Sequence, residues 1–404
     1  LVNLSTDTIV FEKNPDEKLP PASLTKIMTA IIVLENIQDL DNTKITLTRY
    51  INDMLYGINA QLGGILIGET LSARQLIHAT LIQSANEAAL MLADYVGDGS
   101  IDYFVELMNK KAVQIGTTNT HFANPTGLAD DANYSTARDM ALIAEYAMEI
   151  PMFMEIVSKT SYDSGETSKH KNLRWITTNK MMTKDSKYYY GPVKGMKTGS
   201  LPDSGRSVIS TATKNGLTYL FVALNAPYTE EPSDNLAFED SVNIYKWVFE
   251  NFQIKSVIKK GENLEDVKVK LSWKQDTTFL ASGQDFATIM PNDIELSSIQ
   301  KRFVLPDYVN APVKKGQELG HVELILADEV IGRVPLVSTV SLERSSFLYY
   351  LDQLYQLTKT FGFKFIMFFI MMLILFYIFI MIAHNKRNAR KNKVRLASRN
   401  IRRL

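Results

Sequence analysis

The chain has 404 residues, with 44 basic and 44 acidic side chains, 46% hydrophobic residues, five histidines and no cysteine. That length accommodates two or three domains with real cores. The composition excludes disulfides and cysteine-based nucleophiles or metal sites, and five scattered histidines leave no zinc-ligand pattern. The zero formal charge hides a division, because His384 to Leu404 carries nine Lys/Arg and no acidic residue, leaving 35 basic against 44 acidic groups elsewhere.

Asn3 to Phe11 reads as strand, turn and strand. The sequence opens at Leu1 with no export signal ahead of this segment, so an exported chain is expected to have lost its signal or to be a fragment. Ser23 to Ile37 reads as a helix with Ile27, Ile31, Leu34 and Ile37 along one side. Ser72 to Tyr95 forms a second helical block with Ser72 as N-cap. Ile101 to Ile115 and Ser135 to Met148 are further helices, separated by the loop Asn124-Pro125-Thr126-Gly127. Ser207 to Thr213 and Leu217 to Leu224 are strand-rich and flank Lys214-Asn215-Gly216, a hairpin signal. Asn235 to Phe252 returns to helix. Strands at both ends of residues 1–252, with helices between them, predict one sheet covered by helices.

A boundary falls near Gln253 to Lys260. Residues 257–340 are short strands punctuated by Lys260-Gly261, Ser282-Gly283, Pro291-Asn292-Asp293 and Lys315-Gly316, the composition of a small all-β domain. Residues 341–364 form an amphipathic connector, helical from Ser341 to Thr360, with Phe347, Tyr350, Leu351, Leu354 and Leu357 on one face. Phe365 to Ala383 is nineteen uncharged, mostly apolar residues, about 28 Å of helix and enough to cross a bilayer. The tail, residues 384–404, contains Lys386, Arg387, Arg390, Lys391, Lys393, Arg395, Arg399, Arg402 and Arg403. By the positive-inside rule this places the tail in the cytoplasm and the large N-terminal part outside it. Next to a span, such a run suits anionic membrane lipid rather than nucleic acid.

Three short segments carry candidate chemistry. Ser23-Leu-Thr-Lys26 sets an amine one helical turn from a hydroxyl. Serine needs a base to act as a nucleophile, and a lysine serves when burial and a neighbouring cation hold it neutral. Ser84-Ala-Asn86 interrupts an apolar stretch with a hydroxyl able to relay a proton and an amide able to hold Lys26 or a substrate carbonyl. Lys197-Thr198-Gly199-Ser200 offers positive charge, a hydroxyl for a carboxylate, and a glycine that admits substrate backbone to an edge strand. Each segment alone is common. The set S-x-x-K, S-x-N and K-T-G in this order is that of penicillin-recognising serine enzymes.

On these motifs the chain resembles the D-alanyl-D-alanine carboxypeptidases, the low-molecular-mass penicillin-binding proteins of peptidase family S11. The resemblance extends through PPASLTKIMTA, LIQSANEAAL, HFANPTGLADDANYSTARDMALIAEYA and VKGMKTGS. In the β-rich region, APVKKGQELGHVELILADEVIGRVPLV is similar to the family's second domain. The resemblance implies an α/β serine β-lactamase/DD-peptidase-like fold, then a small all-β domain and one C-terminal transmembrane helix. It implies a cofactor-free enzyme in which Ser23 attacks the carbonyl between the terminal D-alanines of a peptidoglycan stem peptide, with Lys26 as base. Ser84 would assist proton transfer and Asn86 would shape the wall of the site. Lys197 and Thr198 would bind the terminal carboxylate, and the amides of Ser23 and Ser200 would form the oxyanion hole. β-Lactams would acylate the same serine.

Lys194 stands where the family often has an acidic residue. Arg138, Asp139 and His121 are expected to be structural. A class A β-lactamase is the nearest competing identity, but its E-x-x-x-N pattern is absent: Glu145, Glu149, Glu155 and Glu166 are followed four residues on by Glu149, Phe153, Lys159 and His170. Cross-link endopeptidase activity and a non-catalytic wall-binding role remain open from sequence. The β domain, lacking any nucleophile-base set, is expected to act as a spacer or as a contact for other cell-wall enzymes.

Overall fold

The computed structural model describes residues 1–231 and 233–401, with side chains described to residue 391. Arg402 and Arg403 of the basic tail, and the side chains of Lys393, Arg395 and Arg399, therefore lie outside the described residues. Two compact units are present, Leu1–Lys255 with Thr288–Ile294, and Ser256–Ala287 with Glu295–Leu404.

The first unit is built on a five-stranded antiparallel sheet. Strands β1 (Val2–Asn3) and β2 (Thr8–Ile9) come from its beginning. Two small pairs follow in the chain, β3 (Lys44–Thr46) with β4 (Thr70–Ser72), and β5 (Ser161–Asp163) with β6 (Arg174–Ile176). The long strands β7 (Val193–Leu201), β8 (Gly205–Lys214) and β9 (Leu217–Ala226) complete the sheet in the order β2-β1-β9-β8-β7. Val2 lies opposite Leu220, so the two ends of the unit meet in one sheet and β7 is left as an edge. The β8–β9 turn takes positive φ at both Asn215 (53°) and Gly216 (79°), as the twist of a two-residue hairpin requires.

Helix α1 (Lys26–Asn36) runs through the core with every residue from Lys26 to Val33 buried. Sequence periodicity suggested a one-sided stripe. The helix is instead apolar nearly all round, because other helices enclose it, and that is the signature of a buried helix. After the short α2 (Arg49–Asp53) come α3 (Ala73–His78), α4 (Asn86–Val96), α5 (Ile101–Ile115) and α6 (Ala137–Met148), of which α4, α5 and α6 pack against α1. Ser72 opens α3 with a capping box: its Oγ accepts from the Gln75 amide and Gln75 Oε1 accepts from the Ser72 amide. Thr136 caps α6 by accepting from the Asp139 amide. The short α7 (Pro151–Val157) packs against β7. Helix α8 (Leu236–Asn251) seals the sheet at β8 and β9 with Phe238, Val242, Tyr245 and Val248.

The block expected as one helix from Ser72 to Tyr95 is broken. After α3 the backbone widens into a π-helical turn at Ala79–Gln83, and Ser84 then takes φ 62°, ψ 30° before α4 begins. A left-handed residue cannot propagate a helix. The interruption falls on the candidate motif itself.

The second unit contains a six-stranded sheet with the order β14-β16-β17-β12-β11-β15. Chain order runs from β10 (Phe252–Ile258) through β11 (Asn263–Lys270), β12 (Thr277–Ser282) and β13 (Phe286–Pro291), of which β10 and β13 each span a boundary of the units. It continues through β14 (Gln300–Val304), β15 (Val309–Asn310), β16 (Glu318–Leu326) and β17 (Glu329–Ser338). Glu323 on β16 pairs across both neighbours with Arg302 and with Arg333, the latter at 3.0 Å. Helix α9 (Ser346–Lys359) is capped by Ser345 and carries Phe347, Tyr350, Leu351, Leu354 and Leu357 in the open. It ends at Thr360, whose Oγ1 accepts from the Phe363 amide and starts α10 (Phe361–Ile401). Residues Phe361–Lys391 of α10 are long and apolar enough to cross a membrane and are unburied, which makes this helix a candidate membrane anchor.

Candidate active site

Ser23 does not start an α-helix. Ala22–Thr25 forms a 3₁₀ turn entered through Ala22 at φ 50°, and Lys26 opens α1 directly behind it. In a 3₁₀ turn residues i and i+3 eclipse, which brings Lys26 Nζ to 3.0 Å from Ser23 Oγ. Lys26 is completely buried, and its Nζ has two further partners, Asn86 Oδ1 at 2.9 Å and the Thr126 carbonyl at 2.6 Å.

Burial holds the Lys26 amine well below its ordinary pKa; the Lys197 charge pushes the same way, and Glu87 opposes. A neutral amine has two hydrogens and one lone pair. Asn86 Oδ1 and the Thr126 carbonyl can only accept, so they take both hydrogens. The lone pair then faces the third partner, the Ser23 hydroxyl, as a general base requires.

Asn86 is fixed by its other amide atoms. Its Nδ2 and its backbone N–H both donate to the Gln61 carbonyl, at 2.8 and 2.9 Å, so Oδ1 is the atom that faces Lys26. The left-handed turn at Ser84 places its Oγ 2.8 Å from Lys197 Nζ, which also donates to the Thr198 carbonyl at 2.9 Å. Lys197 is buried, and that burial lowers its pKa to about 7.

Gly199 seats the edge strand. A Cβ there would meet Ala22 Cβ at 3.0 Å, the Pro21 carbonyl at 3.2 Å and the Ser23 nitrogen at 3.3 Å. The room at this glycine is thus occupied by the turn that carries Ser23, in place of the approach by substrate backbone expected from sequence. Ser200, the next residue, is exposed and its Oγ lies 2.5 Å from Tyr228 Oη. Ser23, Lys26, Ser84, Asn86, Lys197, Thr198, Gly199 and Ser200 all lie in the first unit.

The remaining singled-out residues sit in structural roles. Arg138 pairs with Asp16 at 2.8 Å and with Glu12 at 3.3 Å. Asp139 is buried and accepts from the amides of Thr118 and Asn119 and from Thr120 Oγ1. His121 Nδ1 lies 2.7 Å from the Ala132 carbonyl. Lys194 is exposed near the start of β7.

Four contributors escaped sequence reasoning. Thr126 acts through its carbonyl, which no side-chain motif records. Asn124 Oδ1 shapes that loop by accepting from Thr126 N, Thr126 Oγ1 and Gly127 N at 2.7 to 3.2 Å. Glu87 is buried beside Asn86, and its Oε1 accepts from the Gly63 amide at 2.6 Å; burial raises its pKa. Trp175 Nε1 donates to the Gly63 carbonyl at 2.9 Å, holding the same segment from the other side. The sequence NPTG was a visible signal for the first two, whereas no sequence pattern marked Glu87 or Trp175.

The sequence profile of the D-alanyl-D-alanine carboxypeptidase family matches residues 1–228, and that of the penicillin-binding protein 5 C-terminal domain matches residues 252–344. D-alanyl-D-alanine carboxypeptidase DacF of Bacillus subtilis is 28% identical over 357 residues, covering 87% of each chain. DacC of Escherichia coli is 29% identical, covering 86% of this chain and 84% of its own. Among solved structures, penicillin binding protein 5 from Haemophilus influenzae shares the fold with a TM-score of 0.66, at 24% identity over 85% of this chain and 96% of that one.

Proposed function

The chain belongs to the D-alanyl-D-alanine carboxypeptidase family of penicillin-binding serine peptidases, it is a D-Ala-D-Ala carboxypeptidase, and we propose that it works through an acyl-enzyme on Ser23. The observation that carries the proposal is the Lys26 amine, buried, its pKa lowered by that burial, and set 3.0 Å from Ser23 Oγ between two acceptors.

Lys26 takes the Ser23 proton as Oγ bonds to the carbonyl carbon between the two terminal D-alanines. The resulting oxyanion is stabilised by the backbone amides of Ser23 and Ser200. Collapse breaks the C–N bond and the leaving amine receives the proton from Lys26, assisted by the Ser84 hydroxyl. D-Alanine departs and the acyl group stays on Ser23. Water, deprotonated by the same amine, then releases the shortened peptide. Lys197 and Thr198 hold the terminal carboxylate, which requires Lys197 in its charged form. A β-lactam reaches Ser23 by the same route, but its leaving nitrogen remains tethered.

We infer a catalytic domain over residues 1–252 and a β domain over residues 257–340 that acts as a spacer or contact for other wall enzymes. The basic tail after the apolar helix supports an orientation with the catalytic domain outside the cytoplasm and the tail inside against anionic lipid. The test is D-alanine release from diacyl-L-Lys-D-Ala-D-Ala by the full chain in detergent, beside Ser23→Ala. Release that disappears in the variant supports the nucleophile. Release that persists rejects it.

A further inference from the structure

Thr198 and Ser200 are alternate residues of the edge strand β7, so their hydroxyls project to the same face, about 7 Å apart. Each is backed by a second hydroxyl from another part of the unit. Thr178 Oγ1 lies 2.6 Å from Thr198 Oγ1, and Tyr228 Oη lies 2.5 Å from Ser200 Oγ. Thr178 precedes the 3₁₀ turn Lys180–Met182, and Tyr228 follows β9. The result is a row of four hydroxyls, Thr178, Thr198, Ser200 and Tyr228, none of them fully buried.

Two hydroxyls at such a distance share one hydrogen and retain the other. The Thr178–Thr198 pair therefore presents one free O–H. In the other pair Tyr228 Oη also lies 3.2 Å from the Leu201 carbonyl, so Ser200 keeps its O–H for a ligand when Tyr228 donates to Ser200 rather than to that carbonyl, and the backing residue decides where the hydroxyl in front of it points. A carboxylate accepting at both oxygens spans about the distance between two such donors. Arg206 adds to the Tyr228 end, with its guanidinium 5.0 Å from the ring centroid, where a cation draws charge from the phenol and strengthens its O–H as a donor.

We propose that Thr178 and Tyr228 are positioning residues for the terminal α-carboxylate of the substrate, each orienting the hydroxyl of the β7 residue in front of it. The proposal rests on the reading above, in which the carboxylate binds beside Ser23 at Thr198. It adds two residues from outside the three motifs, and it assigns recognition of the free carboxylate to paired hydroxyls as well as to Lys197.

The experiment uses the full chain in detergent with Thr178→Val, Thr178→Ser and Tyr228→Phe, measuring kcat and KM for diacyl-L-Lys-D-Ala-D-Ala, with melting curves in parallel. Loss of one hydrogen bond to a charged group raises KM by about tenfold. The expected result is such a rise in Thr178→Val and Tyr228→Phe, kcat changing far less, and Thr178→Ser restoring most of the loss. Unchanged KM in both hydroxyl-deleted variants overturns the proposal. So does a fall in kcat that Thr178→Ser shares, since that reports displaced structure. Labelling of Ser23→Ala by a fluorescent penicillin is read separately: persistent labelling refutes the nucleophile, whereas the KM pattern alone decides the hydroxyl row.

Discussion

A Cβ on Gly127 would stand 1.8 Å from the carbonyl oxygen of Ala22. Both residues have positive φ, 78° and 50°, and their backbones touch where the loop that offers the Thr126 carbonyl meets the turn that carries Ser23. Acceptor and nucleophile are thereby locked to one another through a contact that admits no side chain. Gly127→Ala cannot be accommodated by a rotamer change, because the obstacle is backbone. It is expected to destabilise the protein by roughly 3 kcal/mol or more and to abolish penicillin labelling. Gly99→Ala is the control, since Gly99 has a similar φ of 83° and nothing within 4 Å of a Cβ. Its cost is left-handed strain alone, about 1 to 2 kcal/mol, with labelling retained. Equal melting temperatures for the two variants would contradict the contact.

The pH dependence of kcat/KM should be bell-shaped, with both limbs set by lysine. Lys26 works as the neutral amine, so the rate falls as pH drops and Lys26 gains a proton. Burial first, and then the Lys197 charge, lower its pKa, so this limb falls well below the ordinary lysine range. Lys197 works as the ammonium and has a pKa of about 7. In the free enzyme it loses its proton as pH rises through that value, weakening capture of the substrate carboxylate. Lys197→Arg keeps the charge at alkaline pH, so its alkaline limb should move up, at a lower maximum. A rate that climbs without a break to pH 10 would remove the charge of Lys197 from the mechanism.

The two ends of the sheet, the hairpin at Asn215-Gly216, the helix start at Ser72 and the apolar C-terminal helix could all be read in the sequence. Each is set by local chemistry: positive φ at turn residues, a capping hydroxyl, or an unbroken apolar run. The three motifs were legible as residue types at given positions. Their geometry was not. Nothing in HATLIQSANEAAL says that the helix stops at Ser84, because its composition is helical throughout and the left-handed turn is imposed by long-range contacts, Lys197 to Ser84 and Asn86 to Gln61. Carbonyl acceptors such as those of Thr126 and Gln61 leave no trace in side-chain patterns, and Glu87 differs from a surface glutamate only in being buried.

Burying Lys197 also has a consequence for stability. Its ordinary pKa of 10.5 applies to the unfolded chain, and about 7 to the folded one. Between those values the unfolded state binds more protons, so stability rises with pH from about 7 toward 10.5. Below 7 the folded state carries a buried ammonium and this contribution is at its least favourable. Lys197→Met removes the titration, although it also strands the acceptors on Ser84 and Thr198. The urea midpoints of wild type and variant should therefore differ by an amount that grows in favour of wild type between pH 6.5 and 9.5. A difference independent of pH would mean that Lys197 titrates alike in both states.

Ser84 allows its hydroxyl and its backbone to be tested apart. At φ 62° it occupies a conformation that glycine accepts freely and alanine does not. Ser84→Gly and Ser84→Ala both delete the oxygen that meets Lys197 at 2.8 Å. Both should lower kcat by about 10²- to 10⁴-fold, the range for a lost proton-transfer group. Their stabilities should separate, with the glycine variant the more stable by about 1 kcal/mol. If the hydroxyl carries the effect, the two kcat values coincide while the melting temperatures differ. If Ser84 serves chiefly to aim the start of α4, the more flexible glycine lets Asn86 drift from Lys26, and kcat falls further in Ser84→Gly than in Ser84→Ala despite its higher stability. The left-handed turn that ends the π-helical segment would then be the catalytic contribution of this residue, and the hydroxyl would be secondary to it.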